Sequence, residues 1–190
     1  MITVYLADIR HLPSEKKHTA YLLNLILKES GIPAPEILIG PHGKPYLANI
    51  PNLYFNGSHS GDYLVCALSD TPVGIDLQKI LPHKNFEGLI RRFMTPEDLH
   101  QFKHCPKSQQ MRYFYDLWAG KESYIKYLGT GFKTPLNRFF RLPLKQGWGI
   151  LDSGCFVKDL MLLPVPAPAD YVLWVCGHHS DIRIISRKIT

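Results

Sequence analysis

The chain has 190 residues, a formal net charge of +6 and 45% hydrophobic residues. That length suits one domain or two small lobes sharing a core, and the apolar content excludes global disorder. The positive excess fits an acidic partner (nucleic acid, anionic lipid, an acidic protein or a phosphorylated ligand) without choosing among them, and no run of five Lys or Arg marks a nucleic-acid tail.

From the N-terminus, Ile2–Ala7 reads as a strand. It lacks the basic region and long apolar core of a signal peptide. Ser14 is placed to cap a helix over Tyr21–Lys28, which Gly31-Ile32-Pro33 stops. Glu36–Ile39 reads as a short strand and "GPHGKPYL" (40–47) as turns. Leu53–Phe55 and Tyr63–Leu68 are strands on either side of "NGSHSG", which reads as a polar loop. Val73–Leu77 alternates apolar and polar residues. Phe86–Phe93 is a short helix. A second begins at Thr95-Pro96-Glu97-Asp98, with Thr as cap, Pro at the first position and acids in the first turn. Ser108–Leu128 is a long helix with Gly129 as its C-cap. Arg138–Leu142, Cys155–Leu163, Tyr171–Cys176 and Ile182–Ser186 return to strand character, with "PVPAPAD" (164–170) as an extended connection. This order predicts an α+β fold. No apolar run is long enough for a membrane span.

Cys66, Cys105, Cys155 and Cys176 form no C-x-x-C pair, so zinc and thioredoxin chemistry lack support and a reducing cytoplasm fits best.

Four stretches offer chemistry. Asp76 and Gln78 share one strand face and could hold a hard cation through oxygen, or simply be solvated. Trp118, Glu122 and Lys126 form an i, i+4 stripe bordered by Lys121. It reads as a wet ion pair, but the crowding of Phe114, Tyr115, Trp118 and Tyr124 argues for burial and hence for paired or ligand-bound charges. "HGKP" (42–45) is a turn with a cation, without the spacing of a phosphate-binding Walker loop. In "NGSHSG", small residues around Ser58, His59 and Ser60 let a backbone approach an anion. A Ser-His hydrolase is disfavoured there, because adjacent residues do not easily form the nucleophile–base bond and no G-x-S-x-G is present. His100 and His104, four apart on a helix, lack a third metal ligand.

Taken in order, "GKP", "FNGSHSGDY", "PVGIDLQ", "RFMTPED" and "WAGKESYIKYLGTGF" resemble the 4'-phosphopantetheinyl transferases of the surfactin-synthetase-activating type. The resemblance covers about Gly43 to Phe132, and the short chain is similar to compact bacterial holo-acyl-carrier-protein synthases. It implies an α+β fold of two similar lobes with small, mainly antiparallel sheets and packed helices, related by a pseudo-twofold. The lobes would be residues 1–72 and 73–190, with coenzyme A in the cleft between them. It would account for an echo between "YLVCALSD" (63–70) and "YVLWVCGHHSD" (171–181).

The implied activity is Mg2+-dependent transfer of the 4'-phosphopantetheine arm of coenzyme A to a serine of an acyl or peptidyl carrier protein, in fatty-acid or secondary-metabolite synthesis. Adenosine 3',5'-bisphosphate would leave. By position, Asp76, Glu122 and Gln78 would be the metal ligands, and Glu122 the base. Lys126 would stabilise the leaving bisphosphate, while Lys44, Pro45, Ser58, His59 and Lys121 would hold the nucleotide.

Two departures stand out. Gln78 replaces an acid, and the first helix lacks an Arg, for which Lys16, Lys17, His18 or Thr19 would substitute. An acidic carrier protein would dock on Phe86, Leu89, Ile90, Arg91, Arg92 and Phe93. The protein is expected to be a cytoplasmic monomer that binds neither nucleic acid nor membrane. The alternative is a non-catalytic coenzyme A or carrier-binding module of the same fold.

Overall fold

The computed structural model describes residues 1–13, 19–32, 35–82 and 86–188, with the side chains of Phe132, Arg187 and Lys188 left aside. Ser14, Lys16, Lys17 and His18 lie outside the described residues. The elements run β1 (Ile2–Asp8), α1 (Thr19–Glu29), β2 (Ile37–Ile39), β3 (Pro45–Leu47), β4 (Tyr54–Ser60), β5 (Tyr63–Ser69) and β6 (Val73–Lys79). They continue with α2 (Phe86–Phe93), α3 (Pro96–His104), α4 (Lys107–Leu128), β7 (Phe139–Pro143), β8 (Trp148–Asp152), β9 (Cys155–Phe156), β10 (Met161–Val165), β11 (Tyr171–Gly177) and β12 (Ile182–Lys188).

The strands form a sheet of order β12-β1-β5-β4, a second of order β6-β11-β10-β8-β7 with β9 on β8, and the small pair β2-β3. Every pairing is antiparallel except β1 with β12, which is parallel. The architecture is therefore α+β. The 73–190 segment is not confined to the second sheet, because β12 crosses back to pair with β1 of the first.

Period-two alternation sorts each strand between two cores. On β6, Val73, Ile75 and Leu77 join Ile2 and Val4 of β1, Val65 and Ala67 of β5, and Leu173 and Val175 of β11 in a core shared by both sheets. The other face of the first sheet, through Tyr5, Leu64 and Cys66, packs Leu22, Leu23, Ile26 and Leu27 of α1. The other face of the second, through Val172, Trp174 and Cys176, packs Phe114, Leu117 and Tyr124 of α4. Gly74 is required here. A Cβ on it would lie 2.0 Å from the Ser123 carbonyl and 2.4 Å from the Tyr127 nitrogen, so its absence lets α4 lie directly on β6.

Three sequence expectations change. "NGSHSG" is not a loop, because Asn56–Ser60 continues β4 and the hairpin turns at Gly61-Asp62, with Ser60 opposite Tyr63 and Gly61 at φ +53°. Cys155–Leu163 is not one strand. It divides into β9 and β10 around Asp159, whose φ of +58° turns the chain. The turn-rich 40–47 stretch carries β3. The capping box at Thr95 is present, and Asp98 closes it.

Candidate active site

The two large sheets meet where β4, an edge of the first, lies beside β6, an edge of the second. Side chains from alternate positions of β4 make the junction. Asn56 Oδ1 accepts from Ile75 N at 3.0 Å, and Ser60 Oγ accepts from Lys79 N at 2.9 Å. Between them, Ser58 Oγ donates to Asp76 Oδ1 at 2.8 Å. A polar period-two run thus satisfies an edge strand instead of facing water. The sequence signal is the Asn-x-Ser-x-Ser spacing, whose residue types are also those of a polar loop.

Asp76 is 2% exposed, so the solvated-face alternative does not hold. Each of its oxygens has a donor. Lys126 Nζ reaches Oδ1 at 2.6 Å and Ser58 Oγ at 2.9 Å, and Gln78 Nε2 donates to Oδ2 at 2.9 Å. The stripe Trp118–Glu122–Lys126 on α4 faces the same place and lines a cleft of about 860 Å³. Burial, and next the nearby Asp76 carboxylate, raise the pKa of Glu122 above its usual 4.5, with Lys126 opposing. The cleft wall therefore presents Glu122, with its pKa raised, beside a lysine that is bonded to the buried Asp76 carboxylate.

His42, Gly43, Lys44 and Pro45 form one wall, while Leu89, Phe93, Pro135 and Leu136 give an apolar surface beside Arg92. Lys44 is not a free cation. Its ammonium donates to Tyr127 O at 2.8 Å and Val73 O at 3.2 Å, and burial lowers its pKa to about 8.

Other candidates move further. Lys121 points away from the cleft. Its ammonium is 1% exposed and bonds Asp98 Oδ2 at 2.5 Å, Leu136 O at 2.9 Å and Phe93 O at 3.0 Å. All three donors are used inside the protein, so Lys121 has none left for a nucleotide. Ser58 and His59 do not form a pair towards Asp76. As strand neighbours they project to opposite faces, and His59 shares the exposed side with Gly57, beside Thr19 of α1. On α2, Phe86 packs edge-on against Phe114 and Phe93 stacks on Trp118, so these rings serve the core. Arg91 and Arg92 remain exposed.

Among the described residues no three His, Cys, Asp or Glu side chains cluster as a metal site. Asp76 and Glu122 supply two carboxylates and Gln78 a neutral amide oxygen. Such a set fits a hard cation that also takes oxygens from phosphate and water, as magnesium does.

Residues 72–150 match the family model of the 4'-phosphopantetheinyl transferase superfamily. A 4'-phosphopantetheinyl transferase of Bacillus subtilis is 36% identical over 146 residues, covering 74% of this chain and 62% of that protein. The transferase Sfp of Bacillus subtilis strain 168 is 33% identical over 145 residues, covering 74% and 62%.

Over about three quarters of its length the chain is similar to 4'-phosphopantetheinyl transferases.

It spans about 62% of the length of these relatives. The 4'-phosphopantetheinyl transferase AcpT of Escherichia coli O157:H7 is 34% identical over 105 residues, covering 55% of this chain and 54% of that protein. Among solved structures, a holo-(acyl-carrier-protein) synthase from Bacillus anthracis in complex with CoA is 17% identical. It covers 56% of this chain and 93% of that one, with a TM-score of 0.45. The superfamily match, residues 72–150, contains β6 and all of α4, hence Asp76, Glu122 and Lys126. Lys44, which lines the cleft, and Ser58, which bonds Asp76 behind it, precede that match. No described helix is long and apolar enough to cross a membrane.

Proposed function

We propose that this protein transfers the 4'-phosphopantetheine arm of coenzyme A to a serine of a carrier protein. The carrying observation is that Lys126, on the cleft wall with Glu122, is bonded to the buried Asp76 and to Ser58 behind it. The carrier serine oxygen attacks the phosphorus nearer the pantetheine. The bond from that phosphorus to the bridging oxygen breaks, and adenosine 3',5'-bisphosphate leaves. The serine proton passes to Glu122, whose raised pKa makes its carboxylate a better base than an exposed one. Lys126, at the cleft surface, carries positive charge to the oxygens on which negative charge develops. Ser58 and Gln78 orient Asp76.

Asp76 and Glu122, with Gln78 as a neutral third, are the residues that would hold Mg2+. When bound, the ion would supply electrostatic neutralisation of the pyrophosphate. Pro45 and the neighbouring turn border the nucleotide. His59, exposed on the α1 side of β4, is assigned to a more distant phosphate of the same ligand.

The acidic carrier docks at the α2 rim of the cleft, through Arg91 and Arg92 with Leu89 and Ile90 between them and the core. The enzyme acts as a cytoplasmic monomer. Calorimetric titration of coenzyme A in the presence of magnesium tests the ligand, and chromatographic detection of adenosine 3',5'-bisphosphate tests turnover. Binding without product on any carrier would favour the non-catalytic module.

A further inference from the structure

The wall formed by residues 40–45 needs an anchor. It belongs to the small β2-β3 pair, which joins neither large sheet. Its own turn is closed by Gly40 N to Lys44 O and by Gly43 N to Gly40 O, both 2.9 Å, which fixes its shape but not its place. The Lys44 ammonium bridges from it to Tyr127 O in the last turn of α4 and to Val73 O at the start of β6. Those elements carry Glu122 and Asp76. The last carbonyls of a helix lack intrahelical partners and form its negative end, so an ammonium there is doubly favoured. The lysine stem crosses Gly129, where a Cβ would lie 2.9 Å from Lys44 Cδ, and the ammonium sits 5.8 Å from the Tyr127 ring centroid.

We infer that Lys44 is a positioning residue that bolts the 40–45 wall to α4 and β6. It thereby sets the width of the ligand cleft and does not itself bind a phosphate. A neutral lysine still has two N–H donors for two carbonyls, so the bolt holds in either protonation state. The identity of the ligand rests on the transferase reading; the bolt does not.

The test uses the full chain as Lys44→Met and Lys44→Arg. In hydrogen exchange without ligand, Lys44→Met should speed amides of residues 40–47 and 129–131 about tenfold, as loss of a charged hydrogen bond implies. Other amides should be unchanged, and Lys44→Arg, which keeps donors, should restore most of the protection. In titrations with coenzyme A and with dephospho-coenzyme A, Lys44→Met should weaken both by the same factor, with the ratio to wild type independent of salt. Unchanged exchange in the wall overturns the inference, as does exchange raised uniformly over the chain. An affinity loss that shrinks as salt rises overturns it in favour of direct phosphate contact. If the wild type binds neither ligand, the transferase reading fails, and the exchange measurement still decides the role of Lys44.

Discussion

Lys126 Nζ lies 2.6 Å from Asp76 Oδ1, and the same ammonium is 2.9 Å from Ser58 Oγ on the facing sheet edge. One helix residue and one residue of the first sheet therefore converge on a single carboxylate oxygen of the second. The site exists only where β4, β6 and α4 are all in register, which ties the chemistry to the sheet junction.

Gly74 is the tightest point of that arrangement. Adding a methyl group there forces α4 away from β6, since the nearest atoms are backbone atoms of Ser123 and Tyr127. Gly74→Ala should cost about 1–3 kcal/mol in a urea unfolding experiment. It should reduce transfer further than that loss explains, because Glu122 and Lys126 move with the helix. Full activity in the variant would show that the close approach is dispensable.

Glu122 gives a pH-dependent expectation. Its folded pKa is raised, so the native state holds a proton that the unfolded chain releases at lower pH. Between the usual value of 4.5 and the raised one, stability falls as pH rises. Glu122→Gln should remove that slope, melting above the wild type at neutral pH, with the difference closing below the ordinary carboxylate range. Activity should fall on the order of a hundredfold or more. Parallel melting curves across pH would contradict the assigned burial.

Part of this was legible in the sequence. Alternation in "VGIDLQ" placed Asp76 and Gln78 on one face, and helical spacing placed Trp118, Glu122 and Lys126 on one stripe. The crowding of Phe114, Tyr115, Trp118 and Tyr124 argued for burial of that helix; Phe114, Tyr115 and Tyr124 are buried and Trp118 is half-buried. What was missed depends on tertiary partners. Nothing in "NGSHSG" announces that its alternate polar groups meet an edge strand. Lys121 resembles Lys126 locally, and only the packing of α3 and α2 supplies Asp98 and the Phe93 carbonyl to hold it inside. The trailing β12 pairs with the first strand of the chain, a contact that no local pattern encodes.

Lys121 and Asp98 are each 1% exposed and form a buried pair, with Asp98 Oδ1 lacking a partner among the described residues. Lys121→Met strands a buried carboxylate and should cost about 3–5 kcal/mol. The double variant Lys121→Met/Asp98→Leu should regain most of it. A Lys121→Met protein of native stability but reduced coenzyme A affinity would return Lys121 to the ligand.

Arg91 and Arg92 lie at the exposed rim of α2, where Arg92 borders the cleft. Reversing both to Glu should raise KM for an acidic carrier about tenfold, chiefly through slower association, and leave KM for coenzyme A near wild type. The effect should fade at high salt. Unchanged carrier kinetics would remove α2 from the docking surface.

The most direct measurement is mass spectrometry of a panel of apo-carrier proteins incubated with coenzyme A, magnesium and either wild-type protein or Asp76→Asn. The wild type should add one phosphopantetheine arm to at least one carrier. Asp76→Asn, folded by circular dichroism, should add none in the same time. Transfer at the wild-type rate by Asp76→Asn, or no transfer to any carrier by folded wild-type protein, would contradict the account.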